Sequence, residues 1–283
     1  MRYQIAHTTT YQYDQSVNLE PHILRLRPRC DGAQKLHDFA LEIVPKPEGT
    51  AQILDLENNA VIQLWFGQPT DSLSLKVVSD VETLCTNPFN YLLEPWATQL
   101  PIVYPAPMLA HLQLYLGGQF PYGLDPVAVQ LAQSLYQSTA GSTVAFLNQL
   151  NQQIHQTCQQ QFRETGEPLP AAVTWNQRSG SCRDLAVLFM EVCRSMGLAA
   201  RFVSGYQKTE PDLPKYHLHA WVEVYLPGAG WRGYDPSQGL AVADRHIPLA
   251  TSAQPRNAAP VTGLVRASRA QAVMQYQLSI QTL

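Results

Sequence analysis

Residues 178–206 read RSGSCRDLAVLFMEVCRSMGLAARFVSGY. The pattern predicts a helix followed by a strand. Leu185, Leu188, Phe189, Val192 and Met196 recur at helical spacing, and Gly197 is placed to end the helix. Ser181 stands at the N-cap with Asp184 three residues on, a capping-box-like pair, although that box prefers Glu or Gln. Cys182 opens this helix, whereas Cys193 sits deep in the apolar run where a packing thiol belongs. At a helix start the free N–H groups and the dipole favour negative charge, and the thiolate is the nucleophilic form of cysteine. Arg183 adds positive potential. The competing reading is a small hydrophobe that happens to begin a helix.

A cysteine nucleophile needs a base, and His219 in HLHAWVEVYLP (217–227) is the candidate. Alternate residues of a strand share a face. His217, His219, Trp221, Glu223 and Tyr225 form one row; Ala220, Val222, Val224 and Leu226 form the other, which is the core side. His219 therefore faces a cleft or solvent. His217 and His219 share a face, but two ligands without a third at recognisable spacing make a weak metal site, and no metal is assigned. The base needs an orienting group, and Asp235 in WRGYDPSQG (231–239) is the candidate. The turn PGAG makes the two strands a hairpin. Pairing Tyr225 with Trp231 sets Asp235 diagonal to His219 and within side-chain reach. A one-residue slip turns it to the other face, where it is only a turn residue before Pro236. Acyl transfer also needs oxyanion donors. The Cys182 N–H is one. Trp175, Asn176 or Gln177 just upstream is expected to supply another, with Tyr206 and Trp221 as further cleft candidates.

Working outward, the first hundred residues read as β. YQIAHTTTYQY alternates, and HILRLRP, HDFALEIVP, AVIQLWF and LSLKVVSDVETL follow as short runs between turn residues, as in a sandwich or barrel. Asn58-Asn59 falls where a hairpin reverses, and Asn tolerates the left-handed conformation. A proline-dense stretch, Pro88 to Pro107, reads as the connection between two units, residues 1–100 and 101–283. Asp125-Pro126 then starts a helix to about Ser138. A second helix from about Ser142 carries the stripe Phe146, Leu147, Leu150, Ile154 and Cys158, which makes Cys158 plain core. The segment FRETGEPLPAAVTWNQRSGS reads as irregular, and AVMQYQLSIQ closes the chain as β.

Composition limits the function. The 283 residues are 45% hydrophobic and 14% charged with net charge −3, which supports a packed core and argues against a nucleic-acid footprint. The cluster RLRPR (25–29) reads as the solvated edge of a strand. Five scattered cysteines without a CxxC pair fit neither a disulfide framework nor a zinc ribbon. The opening residues lack a signal-peptide core, and no apolar run is long enough for a membrane helix. The expectation is a cytoplasmic protein with no membrane partner. Oligomeric state is not legible.

GSCRDLAVLFMEVCRSMGLAARFVSGY with HAWVEVYLPGAGWRGYDPSQG resembles the transglutaminase-like superfamily, whose core is papain-like. YQIAHTTTYQYDQSV with LRLRP, the hairpin Asp55 to Asn59, and DRHIPLATSAQPRNAAPVTGLV resemble its bacterial members with an N-terminal β domain. Relatives often carry Gly-Arg-Asp-Tyr where this chain has Thr251-Ser252-Ala253-Gln254, a departure at any substrate contact made by that loop. The resemblance implies an α+β protein, an antiparallel β-sandwich followed by helices packed on an antiparallel sheet. It implies Cys182 as nucleophile, His219 as general base and acid, and Asp235 as orienter, with no cofactor. The substrate would be a peptide or protein, attacked through a thioester. Hydrolysis is favoured because water needs no dedicated second-substrate site. Transfer to an amine is the alternative, and a binding or assembly protein on the same fold is the second alternative.

Overall fold

The computed structural model describes residues 1–117, 123–208, 218–266 and 269–283. The first strands are β1 (Arg2–Val17), β2 (His22–Leu24), β3 (Gln34–Val44), β4 (Gly49–Leu54), β5 (Ala60–Trp65) and β6 (Thr70–Thr83). Helices α1 (Ala106–Leu112), α2 (Pro126–Ser138) and α3 (Thr143–Thr157) follow. Strand β7 (Gln159–Gln160), helix α4 (Ala171–Gln177) and strand β8 (Ser179–Gly180) lead into helix α5 (Cys182–Ser195). The chain continues through β9 (Ala200–Gln207), β10 (Leu218–Leu226), β11 (Gly230–Asp235), β12 (Leu240–Ala241) and β13 (His246–Ser252). It ends in β14 (Val261–Thr262) and β15 (Ala272–Thr282). The fold is α+β, with a β-sandwich and a helix-backed antiparallel sheet, as expected. Among the described residues no helix is long and apolar enough to cross a membrane.

Two four-stranded sheets, β15-β1-β6-β3 and β14-β2-β5-β4, form the sandwich. Tyr13, Val17, Leu24, Leu64, Leu73 and Leu75 fill the space between them. Strand β1 alternates, so Tyr3, Ile5, His7, Thr9 and Tyr13 share one buried face, and its far end, Tyr13 and Val17, enters this space. The boundary expected at residues 100 and 101 assigns the last strand to the second unit. Hydrogen bonding puts it in the first sheet, where β15 pairs with β1 from Tyr3–Thr282 to Tyr13–Ala272. Separation along the chain carries no information about such a pairing. The cluster Arg25 to Arg29 is not a solvated strand edge. The Arg25 guanidinium donates to the Ala259 carbonyl at 3.2 Å, and Arg29 donates to Thr251 Oγ1 at 2.8 Å. Both reach the second unit.

That unit is a five-stranded antiparallel sheet, β12-β11-β10-β9-β13, with helices on one face. The two long helices before α4 start and end close to the expected positions. Asp125 caps α2, accepting the Val127 N–H at 2.9 Å, and its other carboxylate oxygen accepts the Ala172 N–H of α4. The predicted stripe of α3 and that of α5 through Val192 are buried, with Met196 half-buried at the helix end, and Ala220, Val222, Val224 and Leu226 opposite them are buried too. Cys158 lies in that core, where burial pushes its thiol up to about 11. The segment expected to be irregular contains α4, a short helix after Pro170 that buries Ala171 and Thr174.

Candidate active site

The start of α5 is held by one buried carboxylate. Asp184, 1% exposed, accepts the Ser181 N–H at 2.7 Å and the Ser181 hydroxyl at 2.8 Å. It also accepts Arg163 at 2.5 Å and the Leu169 N–H at 2.7 Å. The expected Ser181–Asp184 pair therefore forms, and it ties the 163–169 segment to the helix start. Arg183 is tied to the same segment through the carbonyls of Arg163, Thr165 and Gly166. Gly180 is required here, because a Cβ would lie 2.9 Å from Asp184 Cβ and 3.1 Å from Thr174 Cγ2. Cys182 follows at the first helical position, half-buried, whereas Cys193 is fully buried.

The β10–β11 hairpin adopts the predicted register, with Tyr225 opposite Trp231 and Val222 opposite Tyr234. His219 and Asp235 consequently meet, with Nε2 to Oδ2 at 2.7 Å. Because Nε2 faces Asp235, Nδ1 is the ring nitrogen left for Cys182, which lines the same cleft as the imidazole and interacts with it electrostatically. Burial pushes the imidazole down, but the charge and hydrogen bond of Asp235, aided by Cys182, outweigh it and raise His219 to about 10. Burial would push Asp235 up. His219 and His246 instead hold its carboxyl well below the usual carboxylate range.

Asp235 is completely buried and well supplied with donors. Oδ1 accepts the Ser237 N–H at 3.0 Å, the Ser237 hydroxyl at 2.7 Å and the Gln238 N–H at 3.3 Å. Oδ2 receives His246 Nε2 at 3.0 Å in addition to His219. The ligand-capable atoms of His219, Asp235 and His246 lie within 4.8 Å of one another. Both Nε2 atoms are engaged by the same carboxylate oxygen, so the three form a hydrogen-bonded cluster. His217, the other histidine considered as a ligand, lies outside the described residues.

Cys182 and His219 open into a cleft of about 960 Å³ between the sandwich and the helix-backed sheet. Against known proteins, residues 3–82 match the bacterial transglutaminase-like N-terminal region, and residues 129–236 match the transglutaminase-like superfamily. The segment that carries Cys182, His219 and Asp235 belongs to the transglutaminase-like superfamily. An uncharacterised protein of Mycobacterium tuberculosis is 25% identical over 293 residues, covering 99% of this chain and 92% of its own length. A protein-glutamine gamma-glutamyltransferase of Pseudomonas aeruginosa is 35% identical over 74 residues, covering 24% of this chain and 11% of that protein. A crystal structure from Cytophaga hutchinsonii, provisionally named a cysteine protease, superposes over all of this chain and 91% of its own. Its TM-score is 0.75 at 18% identity, a likeness of fold.

Within this superfamily fold the cleft differs from the sequence expectation at four residues. Trp175 packs against the core and Gln177 is exposed at the end of α4; neither lines the cleft. Tyr206 is fully buried, its hydroxyl 3.1 Å from His7 Nδ1. Trp221 is fully buried, its ring edge-on to His246 and so close to Gly205 that a Cβ there would lie 2.5 Å from it. Alternation gives the face of a strand, not what covers that face. The lining near Cys182 includes Gln160 and Gln161 instead. They arrive because β7 runs parallel to β8, pairing Gln160 with Gly180, and the Gln161 N–H donates to the Gly180 carbonyl at 2.8 Å. No periodic pattern marks two-residue strands. His246 was equally silent in sequence, a lone histidine heading a strand. The Asp-Pro-Ser turn around Ser237 was legible as a turn.

Proposed function

We propose that the protein is a cysteine-dependent acyl-transfer enzyme that hydrolyses peptide, isopeptide or amide bonds. The observation that carries this reading is the single constellation of a helix-start thiol, an imidazole lining the same cleft, and a buried carboxylate 2.7 Å behind that imidazole. His219 accepts the Cys182 proton at Nδ1. The thiolate attacks the carbonyl carbon, a C–S bond forms, and the C=O electrons move onto oxygen. The Cys182 backbone N–H at the helix start is a donor for that oxyanion. When the C=O reforms, the C–N bond breaks and the leaving nitrogen takes the proton from His219, leaving a thioester. Water then attacks the thioester, giving its proton to His219, and the acid leaves as the thiol is restored. Asp235 fixes the imidazole tautomer throughout, since its Oδ2 requires a proton on Nε2.

Transfer of the acyl group to an amine is the second reading, supported by the short similarity to a glutamyltransferase. A cleft of about 960 Å³ has room for a segment of peptide and supports a peptide or protein substrate in both readings. A reducing, cytoplasmic setting belongs to the same proposal, supported by free thiols at all five cysteines. The test is the rate of iodoacetamide alkylation at Cys182, followed by mass spectrometry. A fast reaction near neutral pH that slows at least about tenfold in His219→Ala is expected. A Cys182 no faster than an ordinary thiol would favour a binding protein. Efficient incorporation of a primary amine into a glutamine-containing protein, without release of free acid, would replace hydrolysis by transfer.

A further inference from the structure

The sandwich strand β1 divides its inward face three ways. At one end Tyr3 and Ile5 pack with Tyr206 and Ile247 of the second unit. At the other, Tyr13 and Val17 pack within the sandwich. Between them His7, Thr9 and Tyr11 line the cleft that holds Cys182 and His219, and Tyr13 borders the same space. Strand β15 extends this surface sideways, pairing Tyr276 with Thr9 and Met274 with Tyr11, and both of those β15 side chains line the cleft as well. The run HTTTYQY is thereby accounted for: its alternate residues are one wall of the site.

The chemistry of that wall is uniform. Among the described residues, β1, β2 and β15 contribute no Asp, Glu, Lys or Arg to the cleft. His7 is bonded through both ring nitrogens, to Tyr206 and to Thr9, and burial lowers it to about 4, so it is uncharged at neutral pH. On the facing side Arg163 is engaged by Asp184, and Arg183 by three carbonyls. The remaining cleft charges, Glu164, Glu167 and Arg256, come from outside β1, β2 and β15, so a charged side chain entering against the wall loses water with no counter-charge on the wall itself. A large apolar or aromatic side chain would gain by burial and by edge contacts with the tyrosine rings.

We infer that the β1–β15 wall is the specificity surface for the acyl-donor substrate, a peptide segment bearing a large uncharged side chain, aromatic or branched aliphatic, next to the residue whose carbonyl meets Cys182. This rests on the proposed acyl-transfer reading, and the sandwich is then part of the active site and not only its support.

The test separates binding from chemistry. In the Cys182→Ala variant, calorimetry measures binding of acetylated, amidated peptides Gly-X-Gln-Gly-Gly with X as Phe, Leu, Ala, Asp or Lys. Phe and Leu should bind at least about tenfold more tightly than Ala, with Asp and Lys no tighter than Ala. Adding Tyr11→Ala or Met274→Ala should bring Phe to within about twofold of Ala, while Tyr11→Phe retains the preference. Met274→Ala, at a half-exposed position, guards against loss of fold, checked by its thermal midpoint. Equal affinities across the series, no binding of any peptide, or a Phe preference that survives both wall changes would overturn the inference. Failure of the catalytic reading shows elsewhere, as an ordinary alkylation rate at Cys182 in the unmodified chain. Phe-selective binding beside a slow Cys182 leaves the wall standing, and non-selective binding beside a fast Cys182 removes only the wall.

Discussion

At the scale of single residues, the most informative position is His246. Its Nε2 shares Asp235 Oδ2 with His219, and its Nδ1 is buried without a partner. A proton on Nε2 is bonded to a carboxylate, whereas one on Nδ1 would be buried with no acceptor, so the cluster selects the Nε2–H tautomer. Removing this bond frees the carboxylate to shift relative to His219. His246→Ala should lower kcat by about tenfold or more with little change in KM, as expected for loss of a charge-assisted hydrogen bond. It should also shift the pH profile of Cys182 alkylation, and His246→Gln should recover part of both. An unchanged profile would reduce His246 to packing. The His219–Asp235 pair also links stability to pH. His219 is raised from about 6.5 in the unfolded chain to about 10 when folded. Its contribution is therefore complete below about pH 6.5 and is lost as pH rises toward about 10. Asp235 is lowered, so its share is lost as pH falls below about 4, the unfolded value. Urea unfolding of the wild type and His219→Gln at pH 6, 8 and 10 should give a stability difference that narrows as pH rises.

At the scale of elements, the site depends on how α5 begins. Caps, stripe and C-terminal glycine were all readable, because each is a relation between residues a few positions apart. The function of Asp184 was readable only in part. Its bond to Ser181 is local, but its bonds to Arg163 and Leu169 close a loop that sequence cannot locate. Gly180 stands where that carboxylate approaches the backbone. Gly180→Ala must displace Asp184 or Thr174, both held in place, and should cost about 1–3 kcal/mol in urea unfolding. Cys182 alkylation should change with it, because the displaced carboxylate holds the first turn. Retention of both stability and reactivity would mean that the helix start is more pliable than its hydrogen bonds imply.

At the scale of the whole molecule, the sandwich and the helix-backed sheet are locked by the hairpin between β4 and β5. Asp55 Oδ1 accepts the Glu57 and Asn59 N–H groups, and Asn58 takes the left-handed conformation at φ 62° expected of a turn asparagine. Asn59, fully buried, donates to the Thr251 carbonyl and accepts the Thr251 N–H, each at 2.8 Å. Glu57 accepts the Ala253 N–H at 2.7 Å. The segment Thr251 to Ala253 is thus a docking strand for the hairpin, which gives its backbone a structural use whatever its side chains contribute. Asn59→Ala would strand two buried backbone groups and should cost roughly 2–4 kcal/mol. Asn59→Asp should restore only the acceptor half. Unfolding curves of both variants check this, and an Asn59→Ala midpoint within error of wild type would refute the lock.

Sequence by itself determined what near neighbours decide: the helix that opens at Cys182, the hairpin that carries His219 and Asp235, the alternating face of β1, and hence the α+β class. These rest on periods, caps and turn chemistry, which act over a few residues. Tertiary structure alone decided that β13 lies beside β9 and brings His246 to Asp235, that β7 lies beside β8 and brings Gln160 to the cleft, and that β15 returns to β1. It also decided that Trp221 and Tyr206 are sealed away from the cleft. Those outcomes depend on which strands are neighbours and what covers each face. Burial of the whole apolar surface sets them, through contacts between residues that lie far apart in the chain.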